Sequence, residues 1–205
     1  PGAFRKLKEG IEQLHSLDPS FQITSRSVIH RLNFRHWPAM IETGAALGLH
    51  QMSFLPADVS SEAFNRAQPW DEPRQHEILP ARDEVPELQG IIDRIIRDHP
   101  GYFESGFIAE SPLKFQKIGD YYGAFYGLNA FPYKKCNAPW VSAVVEADGT
   151  VRPCFFHPPM GNIHESDLSS ILNSETAIEF RKSLDMDTNE TCVKCVCYLN
   201  LSPRA

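Results

Sequence analysis

No apolar run in this 205-residue chain approaches the roughly 18–20 residues that cross a bilayer, and its start carries no secretion signal. Positive charge is also short: the formal net charge is −6, which argues against nucleic acid as the main partner, because phosphate binding needs a concentrated positive field. Cysteine is scarce and odd in number, five in all, and bunched rather than spread. That argues against the usual secreted disulfide framework and favours an intracellular metal site. Internal repeats, low-complexity segments and a hydrolase triad are all lacking. So is an initiator methionine: the chain opens Pro1-Gly2-Ala3-Phe4, which we read as the start of an excised or processed piece of something longer.

What is present is ordinary for a globular protein, and the length permits one core, or a core plus a small appended unit. Residues 3–17 place Phe4, Leu7, Ile11 and Leu14 at helical spacing, stopped by Asp18-Pro19. FQITSRSVIH (21–30) reads as a strand, 34–49 as a helix, and HQMSFLPAD (50–58) as a second strand. On the first strand Phe21, Ile23 and Ile29 share one face, suited to covering helices, while Gln22, Thr24 and Arg26 share the other, suited to a polar lumen. Helix, strand, helix, strand with short connections predicts βα units around a parallel sheet or barrel, with the remaining strands elsewhere. Residues 59–84 read as a long proline-interrupted loop, 85–99 as the clearest helix (Leu88, Ile91, Ile92, Ile95, Ile96), and 119–133 as an aromatic connector.

From Cys136 the texture changes. WVSAVVEADGTVRPCFF predicts a hairpin turning at Asp148-Gly149, and a helix is expected at about 167–184 before CVKCVC at 192–197. A hairpin brings its ends together, so Cys136 and Cys154 can supply two thiolates from neighbouring strands, and Cys192 and Cys195 two more. Four thiolates suit tetrahedral zinc or an iron–sulfur cluster, and spacing does not separate the two. Pro139 and Trp140 on one side, with Phe155 and Phe156 on the other, predict a shielded site.

The run Cys136, twelve residues, Gly149, four residues, Cys154, followed by GNIHESDLSSILNS, a helix and CxxC, resembles the SPASM/twitch extension of radical S-adenosylmethionine (SAM) enzymes. That resemblance implies an auxiliary [4Fe–4S] cluster on Cys136, Cys154, Cys192 and Cys195, with Cys197 an alternative ligand or a spare thiol. Only Cys197 follows the CxxC where the longer pattern continues, so a single-cluster, twitch-like unit is the better match. More weakly, residues 1–58 look like the last third of a radical SAM partial (β/α) barrel. The implied fold class is α/β: the C-terminal part of that barrel over 1–118, including loop 59–84 and helix 85–99, then a small α+β SPASM/twitch domain over 119–205. Thr24, Arg26 and Leu55 would touch SAM. The CxxxCxxC loop that holds the family's catalytic cluster is nowhere in the chain, nor is its glycine-rich SAM strand. The resemblance therefore implies a parent enzyme in which a reduced second [4Fe–4S] cluster cleaves SAM to a 5′-deoxyadenosyl radical, with this chain alone inactive.

The implied partners are a missing N-terminal barrel half with the catalytic cluster, an electron donor, and a peptide or small-molecule substrate. A cytoplasmic location follows from oxygen-labile clusters and free thiols. No residue is assigned a catalytic role. His157 is a further ligand candidate, and Asp58 either meets substrate at a strand end or caps a helix. His15, His30, His36 and His50 read as surface or packing residues. The main alternative is a non-catalytic zinc-binding interaction module. A thiol oxidoreductase is weaker, because such redox pairs open a helix after a strand.

Overall fold

A computed structural model describes residues 2–63, 66 and 68–202, so Pro1, part of loop 59–84 and the last residues of the range 119–205 lie outside the described residues. The chain forms two compact units, Pro1–Ala57 with His76–Ala130, and Asp58–Gln75 with Phe131–Ala205. No helix among the described residues is long and apolar enough to cross a membrane.

In the first unit, helix α1 (Ala3–Leu17) buries Ile11 but leaves Phe4, Leu7 and Leu14 exposed. Strand β1 (Thr24–Ile29), helix α2 (Trp37–Ala46) and strand β2 (Gln51–Pro56) follow in the expected order. The two strands run parallel, in register from Thr24 opposite Gln51 to Ile29 opposite Pro56, with α2 as the crossover. An isolated parallel bridge joins Met52 to Ile108 on the other edge of β2. The period-2 alternation holds. Ile29, Met52 and Phe54 are buried, while Thr24, Arg26 and Val28 are exposed on the opposite face. Phe21, expected on the covered face, lies ahead of the strand and is exposed, because nothing extends the alternation back that far.

The covered face carries an aromatic core: Trp37 stacks on Phe115 at 4.7 Å between ring centres and tilts against Phe54 at 5.3 Å. Helix α2 comes close at Gly44, where a Cβ would lie 2.2 Å from the Met52 sulfur. The segment expected as a loop contains a short helix α3 (Glu72–Ile78). Helix α4 (Val85–Asp98) buries Leu88, Ile91, Ile92 and Ile95 as its periodicity demands. It is followed by α5 (Pro100–Glu104) and by α6 (Pro112–Ala124), which packs on α4 and β2.

The connector expected at 119–133 begins inside α6, which runs unbroken through 118/119. Tyr121 and Tyr122 explain why: both are buried, and their hydroxyls serve the strand ends. Tyr122 donates to the Ile29 carbonyl and accepts from the Ala57 amide at 2.8 Å, and Tyr121 donates to the Ala57 carbonyl at 3.2 Å. Burial pushes the Tyr122 hydroxyl well above the ordinary phenol range, so it stays protonated and able to donate.

The second unit has one-turn helix α7 (Ala138–Val141), a three-stranded antiparallel sheet β3 (Val144–Val145), β4 (Thr150–Arg152) and β5 (Gly161–Asn162), then α8 (Leu168–Leu172), α9 (Glu175–Ser183) and α10 (Glu190–Val193). The single helix expected at 167–184 is two. Ser174 accepts from the Ala177 amide as a new N-cap, and Arg181 donates to the Leu172 carbonyl at 2.6 Å, closing the first helix as the second opens.

Tyr122→Phe strands a buried amide and a buried carbonyl, and is expected to cost about 2–3 kcal/mol, read as a lower urea midpoint at unchanged m-value.

Candidate metal centre

The hairpin exists because its turn does. Gly149 has φ +84°, a region open to glycine, and its amide donates to the Glu146 carbonyl at 2.9 Å. Asp148 accepts from the Thr150 amide at 3.0 Å, and the Asn162 side chain donates to the Asp148 carbonyl at 3.0 Å, tying β5 to the turn. A Cβ on Gly149 would lie 2.6 Å from both Asn162 Oδ1 and His164 Cδ2. Arg152 pairs with Glu146 at 3.0 Å across the strands. The strands are shorter than expected: Trp140 and Val141 belong to α7, because Pro139 favours a helix start.

Cys154 follows β4 in a turn where the backbone amides of Phe156 and His157 favour its thiolate. Cys136 is fixed from the far end of the chain. Asn137 donates its amide to the Leu199 carbonyl at 2.7 Å, exchanges two side-chain bonds with Leu201, and the Leu199 amide points at Cys136 Sγ at 3.5 Å. Cys192 sits in α10, whose N-cap Asn189 accepts the Cys192 amide at 3.1 Å, and Cys195 follows immediately beyond that helix. The Cys195 thiol donates to the Cys197 carbonyl.

All five thiols are free, half-buried, and close enough to influence one another's charge. Burial first, then neighbouring Cys154 and Cys136, push Cys192 up to about 11. Burial pushes Cys195 up to about 12, with Cys197 and Cys154 adding to it. Cys154 is raised as well, by burial and then by Cys136 and Cys197. Such thiols stay protonated until a cation compensates them, which is how a soft metal centre displaces protons from its ligands. The donor set therefore fits thiolate-bound iron–sulfur or zinc. Among the described residues, no group of three or more His, Cys, Asp or Glu has an arrangement that could hold a metal ion, so the sulfurs are gathered without being pre-assembled on one point.

The expected shielding is half present: Pro139 and Phe156 are buried, whereas Trp140 and Phe155 are exposed by 46% and 48%. His157 is buried and its Nε2 lies 3.3 Å from Cys192 Sγ, a contact that the spacing to Cys154 only hinted at. Lys134 was not singled out from the sequence. It donates to the Val193 carbonyl at 2.9 Å, and its charge lowers the cost of thiolates at Cys192 and Cys195. Its signal was the Lys134-Lys135 pair directly before Cys136.

Asp58 is committed locally. It accepts from the Ser60 amide and the Ser61 hydroxyl and pairs with Arg66, and among the described residues it caps no helix. Thr24, Arg26 and Leu55 lie in the first unit. Thr24 opposes Gln51, Arg26 opposes Ser53 and Val28 opposes Leu55, so the three residues share the exposed face of the parallel pair.

Residues 136–196 match the family model of SPASM, described as an iron–sulfur cluster-binding domain. This segment is similar to SPASM domains. Its match takes in Cys136, Cys154, Cys192 and Cys195 and ends one residue before Cys197. No curated protein and no solved structure gives a match. Cluster binding is therefore the function that the SPASM segment implies.

Gly149→Ala forces a Cβ into Asn162 and His164 at a left-handed φ, and is expected to destabilise the SPASM unit by about 1–3 kcal/mol and lower its iron retention after gel filtration.

Proposed function

We propose that the chain is the C-terminal part of a radical SAM enzyme, whose SPASM unit holds an auxiliary [4Fe–4S] cluster on Cys136, Cys154, Cys192 and Cys195. The observation that carries the reading is the gathering of thiols from the segment before α7, the turn after β4 and the α10 turn, inside the segment similar to SPASM domains. Bound there, such a centre supplies one-electron chemistry or a structural clamp. The protein's own part is to bring four thiolates together, to exclude water with Pro139 and Phe156, and to offset their charge with Lys134 and hydrogen bonds from backbone amides.

Four protein thiolates leave no open coordination position, which favours electron relay or structure over direct binding of substrate. Cys197, outside the SPASM match yet beside Cys195, is the spare or exchangeable thiol.

In the same reading the first unit is the end of a partial (β/α) barrel. The parallel β1–α2–β2 unit supports it, as do the exposed polar face bearing Thr24, Arg26 and Leu55 and the exposed stripe of α1. Those three residues would meet SAM once an N-terminal half, carrying CxxxCxxC and a second cluster, completes the lumen. An electron donor and a peptide or small-molecule substrate complete the system, in the reducing setting of the cytoplasm.

Anaerobic reconstitution is expected to load about four iron and four sulfide per chain. Cys136→Ala or Cys154→Ala should remove most of that iron, and Cys197→Ala should spare it. One zinc without sulfide would replace this reading with a structural zinc module. The chain by itself is expected to leave SAM uncleaved under dithionite.

A further inference from the structure

The contact between His157 and Cys192 goes beyond holding a centre in place. His157 is 5% exposed, its Nε2 lies 3.3 Å from Cys192 Sγ, and its ring meets Phe180 edge-on at 5.0 Å. Its backbone is held as well, since Arg152 donates to the His157 carbonyl at 3.1 Å. The partner sulfur is fixed from its own side by the Asn189 cap on the Cys192 amide. A buried ring packed against Phe180, its backbone held by Arg152, is aimed at a candidate ligand sulfur.

We propose that His157 donates its Nε2–H to the Cys192 thiolate of the bound centre and thereby sets the centre's reduction potential. The inference rests on the cluster reading above. A coordinated thiolate has no proton to give, so only the imidazole N–H can fill this contact, and that fixes the tautomer with the proton on Nε2. The one-electron reduction adds negative charge to the centre and its sulfurs. An N–H pointing at one of them strengthens as that charge grows, so it favours the reduced state. His157 is itself buried, which shields the donor end of the contact and strengthens the bond. His157 is thus a tuning residue, and the four thiolates remain the ligands.

The test is a dithionite titration of the anaerobically reconstituted full chain, followed by electron paramagnetic resonance. Each centre takes one electron from dithionite, and the imidazole proton stays in place. Iron and sulfide are counted first, so that failure of the wild-type chain to load a cluster is recognised as failure of the cluster reading itself, which overturns both.

With the cluster loaded, His157→Phe is expected to lower the ratio of reduced to oxidised centre about tenfold at a fixed applied potential, or about 59 mV for one electron. His157→Gln, whose amide can still donate, should stay within about twofold of wild type. Equal potentials in all three proteins, or equal shifts in both variants, overturn the proposal. Pulsed resonance on the wild-type chain with 15N-histidine decides the case even where a variant loses its cluster. A weak nitrogen coupling, accompanied by a proton coupling that vanishes in D2O, supports the donor role. A strong coupling would make His157 a ligand, and no coupling would remove it from the site; either result overturns the proposal.

Discussion

The cost of charging half-buried sulfurs beside one another, burial first and neighbouring cysteines second, is the constraint on which the second unit depends. Five half-buried sulfurs, with burial and neighbouring cysteines raising the proton affinity of Cys154, Cys192 and Cys195, are a poor arrangement for a protein with no cation to place among them. Several groups nearby lessen that cost: the Leu199 amide at Cys136, the backbone amides at Cys154, and the Lys134 charge at Cys192 and Cys195. Small sheets and one-turn helices bury little apolar area, so this unit lacks the core that stabilises the first. A centre that clamps hairpin to C-terminal segment would supply what the packing does not.

The first unit is built on the opposite principle. An aromatic cluster of Trp37, Phe54 and Phe115, with the Ile and Leu face of α4, forms its core. Its parallel pair is covered on one face and exposed on the other. Parallel strands are usually covered on both faces, so the exposed face with Thr24, Arg26 and Val28 is the feature that most needs a functional account.

Much of this was legible in the residues. The alternation over 24–29, the crossover helix, the apolar face of α4 and the Asp148-Gly149 turn are local signals, and each appears where the pattern puts it. The misses have local causes too. Ser174 is a strong N-cap hidden within a helical pattern, and it divides the helix expected at 167–184. Tyr121 and Tyr122 looked like connector aromatics, because nothing in their neighbourhood announces that their hydroxyls reach Ile29 and Ala57, more than sixty residues away.

The sequence by itself determined the donor chemistry: thiols at a spacing suited to a soft metal centre, a glycine where the hairpin must turn, and parallel βα order in the first half. Those are matters of residue type and short-range geometry, which periodicity and turn rules read directly. Only the tertiary structure decided which groups surround the sulfurs. Cys136 meets the Leu199 amide, Lys134 reaches the Val193 carbonyl, and His157 reaches Cys192 across sequence separations of 63, 59 and 35 residues. Such contacts depend on how the chain closes long loops. Closure is set by the sum of many weak packing terms, and no local pattern encodes it.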